Sequence, residues 1–503
     1  MKQRTGPILL TSLMLGLVFD WFFYGKVPGI SVGLYAAAVL GCTFCLAFRF
    51  KDALNTSAYW LAPVILFFSF MVYVRADPFL AFMNSCVVLY LLFLVARLML
   101  LPGIRLREYG FSQYLYPVTK LPIRIERECL TIVRTLLSYR STTVTKASYI
   151  PILRGVMLSL PILFVFLLLL SSADLVFKEY LSSIFSLNLS PQIVFQWCLI
   201  GFVASLFAGA YALIFMPSYQ AELALLPAQK KFAIGFTESS IILGSVGLLF
   251  FVFVLVQLAY LFDGTHQITG AGFTYAQYAR KGFFELIAVA AISLALLSII
   301  KTCTTSRTML QALIFKGLSG VLVVEVIVIM ISAHLRLNLY QEAYGFTELR
   351  LLSHLFILWL AYAFAQLLYQ IIKDKSDNDF AFHLFISALC FFALINCINP
   401  DKFIAQQNIQ RFNSTGQIDL YYLSSLSEDA VPTLAQLLDH PNKDLQKGAA
   451  YILFGQKQYA TGQPSHWQSA NLGRQRADRI FKDNAARIEA GESYSQYKRF
   501  GTK

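Results

Sequence analysis

Charge is scarce in this sequence. Only 14% of its 503 residues are Asp, Glu, Lys or Arg, against 57% hydrophobic. A soluble chain carries about a quarter charged residues, so an ordinary soluble enzyme of this length is excluded. Acidic residues are the scarcer kind, 28 against 41 basic, giving a net charge of +13. The short motifs of familiar site chemistries are missing as well. The six histidines form no H-E-x-x-H or comparable metal spacing, and there is no P-loop, no G-x-G-x-x-G and no G-x-S-x-G elbow. Neither a metal nor another cofactor is expected.

What the sequence has instead is long apolar runs. Eleven of them, at about 7–24, 30–48, 58–74, 79–101, 155–173, 192–214, 236–262, 282–300, 313–333, 351–372 and 380–398, are long enough to cross a bilayer. Lipid offers the backbone no hydrogen-bond partners, so each run must be helical. The expected fold is an all-α polytopic transmembrane bundle over 1–398, followed by a small soluble helical domain over 399–503. Lys2 and Arg4 precede the first run as in a signal peptide. Asp20-Trp21-Phe22-Phe23-Tyr24 follows it with no small-x-small cleavage site, so the run is read as retained.

Alternate loops are basic. Arg49 and Lys51, the 102–154 loop with Arg105 through Arg154, Lys230 and Lys231, Lys301 and Arg307, and Lys373 and Lys375 mark one side. The intervening loops carry little more than Lys26, Arg75 and Lys178. The positive-inside rule places the N-terminus in the cytoplasm, and an odd span count then places 399–503 outside. The positive charge reads as orientation and attraction to anionic lipid rather than nucleic-acid binding. All eight cysteines fall in spans or inner loops, so no disulfide framework is expected, and Cys42 and Cys45 read as packing residues.

Several local patterns have structural readings. Within 102–154, Cys129, Leu130, Val133, Leu136 and Leu137 recur at helical spacing opposite Arg124, Arg127 and Arg134, as in a basic amphipathic helix at the membrane surface. Asp77-Pro78 is an N-cap followed by proline at the first helical position, which accounts for the RADPFLAF hairpin from Arg75. Asp174 reads as the cap of a short helix. G-F-T recurs at Gly235, Gly272 and Gly345, with threonine expected as N-cap and Glu238 and Glu348 in first turns. Helices are expected in the tail at 401–412, around Leu420–Leu438, from Leu445 and from Asn471, with the last dozen residues frayed.

Two places invite chemistry. Glu325 lies in the middle of the ninth run, where an ionisable residue is a default functional candidate, with Gln257, Gln366 and Asn396 as polar partners. The second is an outer-face cluster. Tyr275, Tyr278, Arg280 and Glu285 enter the eighth span, and Arg336, Tyr340, Glu342, Tyr344, Glu348 and Arg350 lie between the ninth and tenth. Arginine holds phosphate or carboxylate bidentately, tyrosine offers flat surfaces to sugars or head groups, and a glutamate serves as a base. The competing reading is an interfacial tyrosine belt with ion pairs between loops.

Longer segments carry a family resemblance. DWFFYGKVPGIS from Asp20, RADPFLAF, SADLVF from Ser172, FTESSIILG from Phe236 and YAQYARKGFFEL from Tyr275 begin it. LRLNLYQEAYGFTELR from Leu335, NPDKFIAQQNIQRF from Asn399 and DLYYLSSLSEDAVPTL from Asp419 complete it. Through these the chain resembles a bacterial multi-pass membrane family, domain of unknown function 4173, with its close relative 4153. Leu175 departs from that pattern, where proline is expected, and Gln277 and Lys281 are mild variants. The resemblance implies no reaction, cofactor or catalytic residue.

The functional expectation is an envelope scaffold, sensor or regulator binding a partner protein or lipid at its outer face. A transporter or flippase using Glu325, and an enzyme acting on a lipid-borne or envelope substrate, are the alternatives.

Overall fold

The computed structural model describes residues 2–50, 55–101, 103–138, 191–216, 234–262, 283–305, 308–461 and 466–491. Among them ten helices are long and apolar enough to span a membrane. The helices in chain order are α1 (Lys2–Phe23), α2 (Ile30–Phe50), α3 (Thr56–Val74), α4 (Pro78–Leu100), α5 (Phe111–Thr119), α6 (Leu121–Ser138) and α7 (Pro191–Phe215). They continue as α8 (Phe236–Phe262), α9 (Phe283–Cys303), α10 (Met309–Tyr344), α11 (Glu348–Ile372) and α12 (Asp377–Ile398). The tail adds α13 (Pro400–Thr415), α14 (Leu420–Ser424), α15 (Val431–Leu434), α16 (Lys443–Thr461), α17 (Leu472–Asp483) and α18 (Ala485–Glu489). Ile234–Gly235 and Thr304–Thr305 form a two-residue parallel pairing. The expected span at 155–173 and the Asp174 helix lie outside the described residues.

The chain divides into two compact units. The first contains α1, the later part of α2, α6 and α7. α1 and α7 approach closely because Gly16 offers no side chain: a Cβ there would sit 2.7 Å from the Ile200 carbonyl oxygen. Arg4 donates to the carbonyl of Phe215 at 2.7 Å and that of Phe50 at 3.3 Å, so one cation serves the C-terminal ends of two helices. The amphipathic helix α6 packs its Ile125–Cys129 stretch against Gly209 of α7.

The second unit contains α3, α4, α8 to α12 and the tail. Its core lies around α10, with Leu322, Val323, Val326 and Ala333 buried against Leu360, Phe364 and Leu367 of α11 and Leu294 and Leu297 of α9. Large apolar residues such as Trp60, Phe82, Leu248 and Ile292 remain exposed, as a lipid-facing surface requires. One end of this unit carries ion pairs: Arg107 with Asp379 (2.7 Å), Lys301 with Asp377 (2.9 Å) and Lys316 with Asp374 (2.6 Å).

Two local expectations are corrected. The expected span at 313–333 is followed by a loop in the sequence reading, whereas α10 runs unbroken for 36 residues. At 1.5 Å per residue it is about 54 Å long, well beyond the hydrocarbon thickness. No proline or glycine interrupts His334–Tyr344, and the helix stops only at Gly345, whose φ of +83° few other residues adopt. Thr347 stands at the N-cap position of α11 but its side chain accepts no capping hydrogen bond. The tail supplies the partners instead: Phe346 N–H donates to Asn408 Oδ1 at 2.8 Å and Glu348 N–H to Tyr422 Oη at 2.8 Å.

The tail helices bury Leu420, Leu423, Val431, Leu434, Leu453, Ala477 and Phe481 together with Leu351 of α11, so this core continues into the start of a membrane helix. Arg411 donates to the carbonyls of Glu342 (3.1 Å) and Ala343 (3.0 Å) at the end of α10. Asn471 Nδ2 donates to the carbonyls of Val72 (2.9 Å) and Arg75 (2.6 Å) at the end of α3. The amide of Ile30 donates to the Ala470 carbonyl at 3.0 Å.

Candidate functional site

Of the outer-face candidates, Tyr275, Tyr278 and Arg280 lie outside the described residues. Of the others, Arg350, Tyr340 and Tyr344 come together. Arg350 is buried and stacks over Tyr340 (4.0 Å to the ring centroid) and Tyr344 (6.0 Å), and its guanidinium donates to the Gly345 carbonyl. Tyr340 and Tyr344, one helical turn apart on α10, are 5.1 Å apart at their ring centres. This trio locks the α10–α11 turn. Glu285 and Glu342 are exposed, and Glu342 takes part in the tail contact through its carbonyl. Arg336 is half-buried on α10.

Glu348 goes elsewhere. Together with Asp77, Asp401 and Glu428 it lines a cavity of about 820 Å³ between the start of α4, the start of α11 and the tail. Tyr421, Tyr422, Tyr451 and Tyr459 share the lining, and no lysine or arginine does among the described residues. The local folding of each acid is ordinary. Asp77 is 4% exposed and caps α4, accepting from the Phe79 amide at 2.8 Å through Oδ1. Its Oδ2 has no hydrogen-bond partner. Asp401, in the first turn of α13, accepts from the Ser427 amide at 2.8 Å and thereby ties α13 to the following tail segment.

The electrostatics follow from crowding acids in a buried place. Burial, then the neighbouring Asp401 and Glu348 carboxylates, push the Asp77 carboxyl up to about 7 against the pull of the Phe79 and Leu80 amides. Burial also raises Asp401, opposed by its Ser427 hydrogen bonds, and raises the Tyr422 phenol to about 12. Asp429, just behind, is pushed up to about 6, chiefly by burial. Gln456 presents a second unpartnered oxygen, Oε1, while its Nε2 donates to the Leu426 carbonyl at 2.9 Å.

Beneath the acidic cavity is an apolar one of about 380 Å³, formed by the first turns of α4, α9 and α11 and the last turns of α12. Phe79 lines both. The apolar cavity is bounded by Asn84 and Asn396, which exchange two amide hydrogen bonds at 2.8 and 2.9 Å. That pairing corrects one expectation, since Asn396 is engaged by Asn84 and not by Glu325. Glu325 is 7% exposed on α10, with Oε2 unpartnered and Gly247 of α8 beside it.

Sequence reasoning missed Asp401 as a site residue and explained the Asp77 hairpin largely by capping. It also missed His334 and His354, whose Nδ1 atoms face each other at 3.1 Å between α10 and α11. Acids at 77, 348, 401 and 428 have no common spacing; only the resemblance segments at Arg75, Leu335, Asn399 and Asp419 happen to bracket them all.

Chemically, the cavity offers negative charge and aromatic faces on a scale of several groups. Among the described residues no three His, Cys, Asp or Glu side chains converge as a metal ion requires. The arrangement suits an organic cation, which spreads its charge and donates several hydrogen bonds.

No curated protein and no solved structure matches the chain. One family model does, over residues 61–437, a stretch that includes Asp77, Glu348, Asp401 and Glu428. The protein is an integral membrane protein of unassigned activity, and by that match the chain belongs to the family described as Domain of unknown function (DUF4153).

Proposed function

We propose that the protein is a sensor or regulator of the bacterial envelope that binds an organic ammonium group in the acidic cavity. The observation that carries this is Asp77, a buried carboxylate with one oxygen unpartnered on the wall of that cavity. A buried acceptor left without a donor costs about 1–3 kcal/mol, and an ammonium donor removes that cost. The surrounding tyrosines add faces that attract cations.

The tail is the part that reports occupancy. It supplies Asp401, Glu428 and all four tyrosines, while Asp77 and Glu348 belong to the membrane helices, so a ligand touching both kinds of wall tightens the contact between them. The basic loops support a cytoplasmic N-terminus, which puts the cavity on the outer face of the cytoplasmic membrane. An envelope protein or anionic lipid is the partner to which the tail would respond. The outer-face motifs support the narrower assignment to family 4173. The transport reading rests on Glu325, with no second charged group acting on it among the described residues.

The test is binding to the purified full-length protein in detergent, with spermidine and ethanolamine as soluble probes. Asp77→Asn combined with Asp401→Asn should weaken binding at least about tenfold, which corresponds to about 1.4 kcal/mol. Binding that ionic strength alone reproduces, or that the double variant retains, would overturn the proposal.

A further inference from the structure

We infer that the ligand is an ammonium-bearing membrane lipid, its head group in the acidic cavity and one acyl chain in the apolar cavity beneath. This deepens the binding reading and rests on it. The geometry that points there is the adjacency of two unlike cavities at the same end of the membrane helices. The upper one is walled by carboxylates and tyrosines. The lower one is walled by Met83, Phe284, Ile287 and Phe356 in the first turns of α4, α9 and α11 and by Phe391 and Ile395 in the last turns of α12. Phe79 belongs to both walls, so the passage from polar to apolar occurs across a single side chain.

Each cavity alone is ambiguous. A soluble amine needs only the upper one and leaves some 380 Å³ of apolar space in the membrane helices without a role. An anionic lipid fits the lower one but brings its head group against Asp77, Glu348, Asp401 and Glu428. A lipid with a terminal ammonium satisfies both, since its amine meets the carboxylates and its chain meets the phenylalanines. Charge complementarity therefore selects the head group and depth selects the chain. Asp77, whose buried Oδ2 is unpartnered, belongs to the upper wall next to Phe79, where the head group of such a lipid would turn from membrane to cavity.

The experiment uses the full chain in nanodiscs of equal phosphatidylethanolamine and phosphatidylglycerol, with retained lipid read by native mass spectrometry after release. The wild type should retain phosphatidylethanolamine at least fivefold over phosphatidylglycerol. Asp77→Asn with Asp401→Asn should bring that ratio to about one by removing the charge selection. Met83→Trp, which fills the apolar cavity without touching an acid, should lower lipid retention at least fivefold while spermidine binding persists. Ser353→Leu is the milder filling variant if Met83→Trp does not insert.

Spermidine binding that depends on Asp77, with lipid retention unselective or unaffected by either filling variant, would overturn the lipid inference and leave the soluble-amine reading standing. Retention of phosphatidylglycerol over phosphatidylethanolamine would also overturn it. Loss of both spermidine binding and lipid selectivity in the wild type would remove the binding reading itself.

Discussion

The amide of Ala76 donates to Asp429 Oδ2 at 3.0 Å, across 353 residues of sequence. That bond joins the α3–α4 hairpin to the tail, in a place where both groups are buried. Asp429→Ala leaves the Ala76 amide without its acceptor and should destabilise the tail contact by about 1–3 kcal/mol. Asp429→Asn keeps an acceptor and removes a buried charge, so it should cost less than alanine at every pH. Thermal unfolding in detergent, with hydrogen exchange at Ala76, checks the order; alanine and asparagine behaving alike would mean that this bond does not hold the tail.

Proton linkage at the same place has a definite sign. The folded protein raises Asp77 to about 7 and Asp429 to about 6, both from an ordinary value of 3.8. A carboxyl raised by folding binds its proton more tightly in the native state. Its stabilising contribution is therefore complete below pH 3.8 and is lost as pH rises through 6 to 7. Asp401 and Glu348 face Asp77, while Arg75, Asp401 and Glu428 act on Asp429. The tail contact should loosen between pH 5 and pH 8, and Asp77→Asn should flatten that slope. Ammonium binding should move the other way and strengthen over the same interval, because the cation favours ionised Asp77. A stability curve flat from pH 5 to pH 8 would contradict both statements.

Much of the fold was legible because apolar runs of this length have one physical solution. The tail's helices were also legible from spacing and caps, as at Asn471, whose Oδ1 accepts from the Arg474 amide at 3.0 Å. The length of α10 was not, because hydropathy falls after Ala333 while helix-forming residues continue to Tyr344. The cavity was least legible. Asp77 reads locally as an N-cap, and Glu348 and Asp401 as acids in first turns, so each had a sufficient bland explanation. Their convergence is a fact of tertiary packing with no local trace. Within the outer-face cluster Tyr340, Tyr344 and Arg350 come together, while Glu348 turns to the acidic cavity, a division that shared loop position does not reveal.

Arg350 should behave as a structural residue. Its guanidinium carbon sits 4.0 Å from the Tyr340 ring centre and the group donates to the Gly345 carbonyl, a combination that lysine does not reproduce. Arg350→Lys should cost about 1–2 kcal/mol and Arg350→Ala more, through lost cation–π stacking and an unfilled space. Limited proteolysis of the tail should report both. If Arg350→Lys abolished ligand binding at undiminished stability, the residue would belong to a site and not to the turn.

Two glycines set how closely the tail can lie. A Cβ on Gly29 would sit 2.5 Å from the Ala470 carbonyl oxygen and 2.7 Å from the Ser469 carbonyl carbon, both backbone atoms that cannot rotate away. A Cβ on Gly473 would sit 2.9 Å from Ala76 Cβ and collide with Asp429. Gly29→Ala should therefore force the Ile30–Ala470 hydrogen bond apart. Gly473→Ala should disturb Ala76 and Asp429 together. Each should cost about 1–3 kcal/mol, the usual penalty of overpacking. Neither residue lines the acidic cavity, so their effect on spermidine affinity measures how far ligand binding depends on tail docking. A cavity that reports through the tail predicts weaker binding in both variants. Undiminished affinity with a loosened tail would separate the two and deny the tail its reporting role.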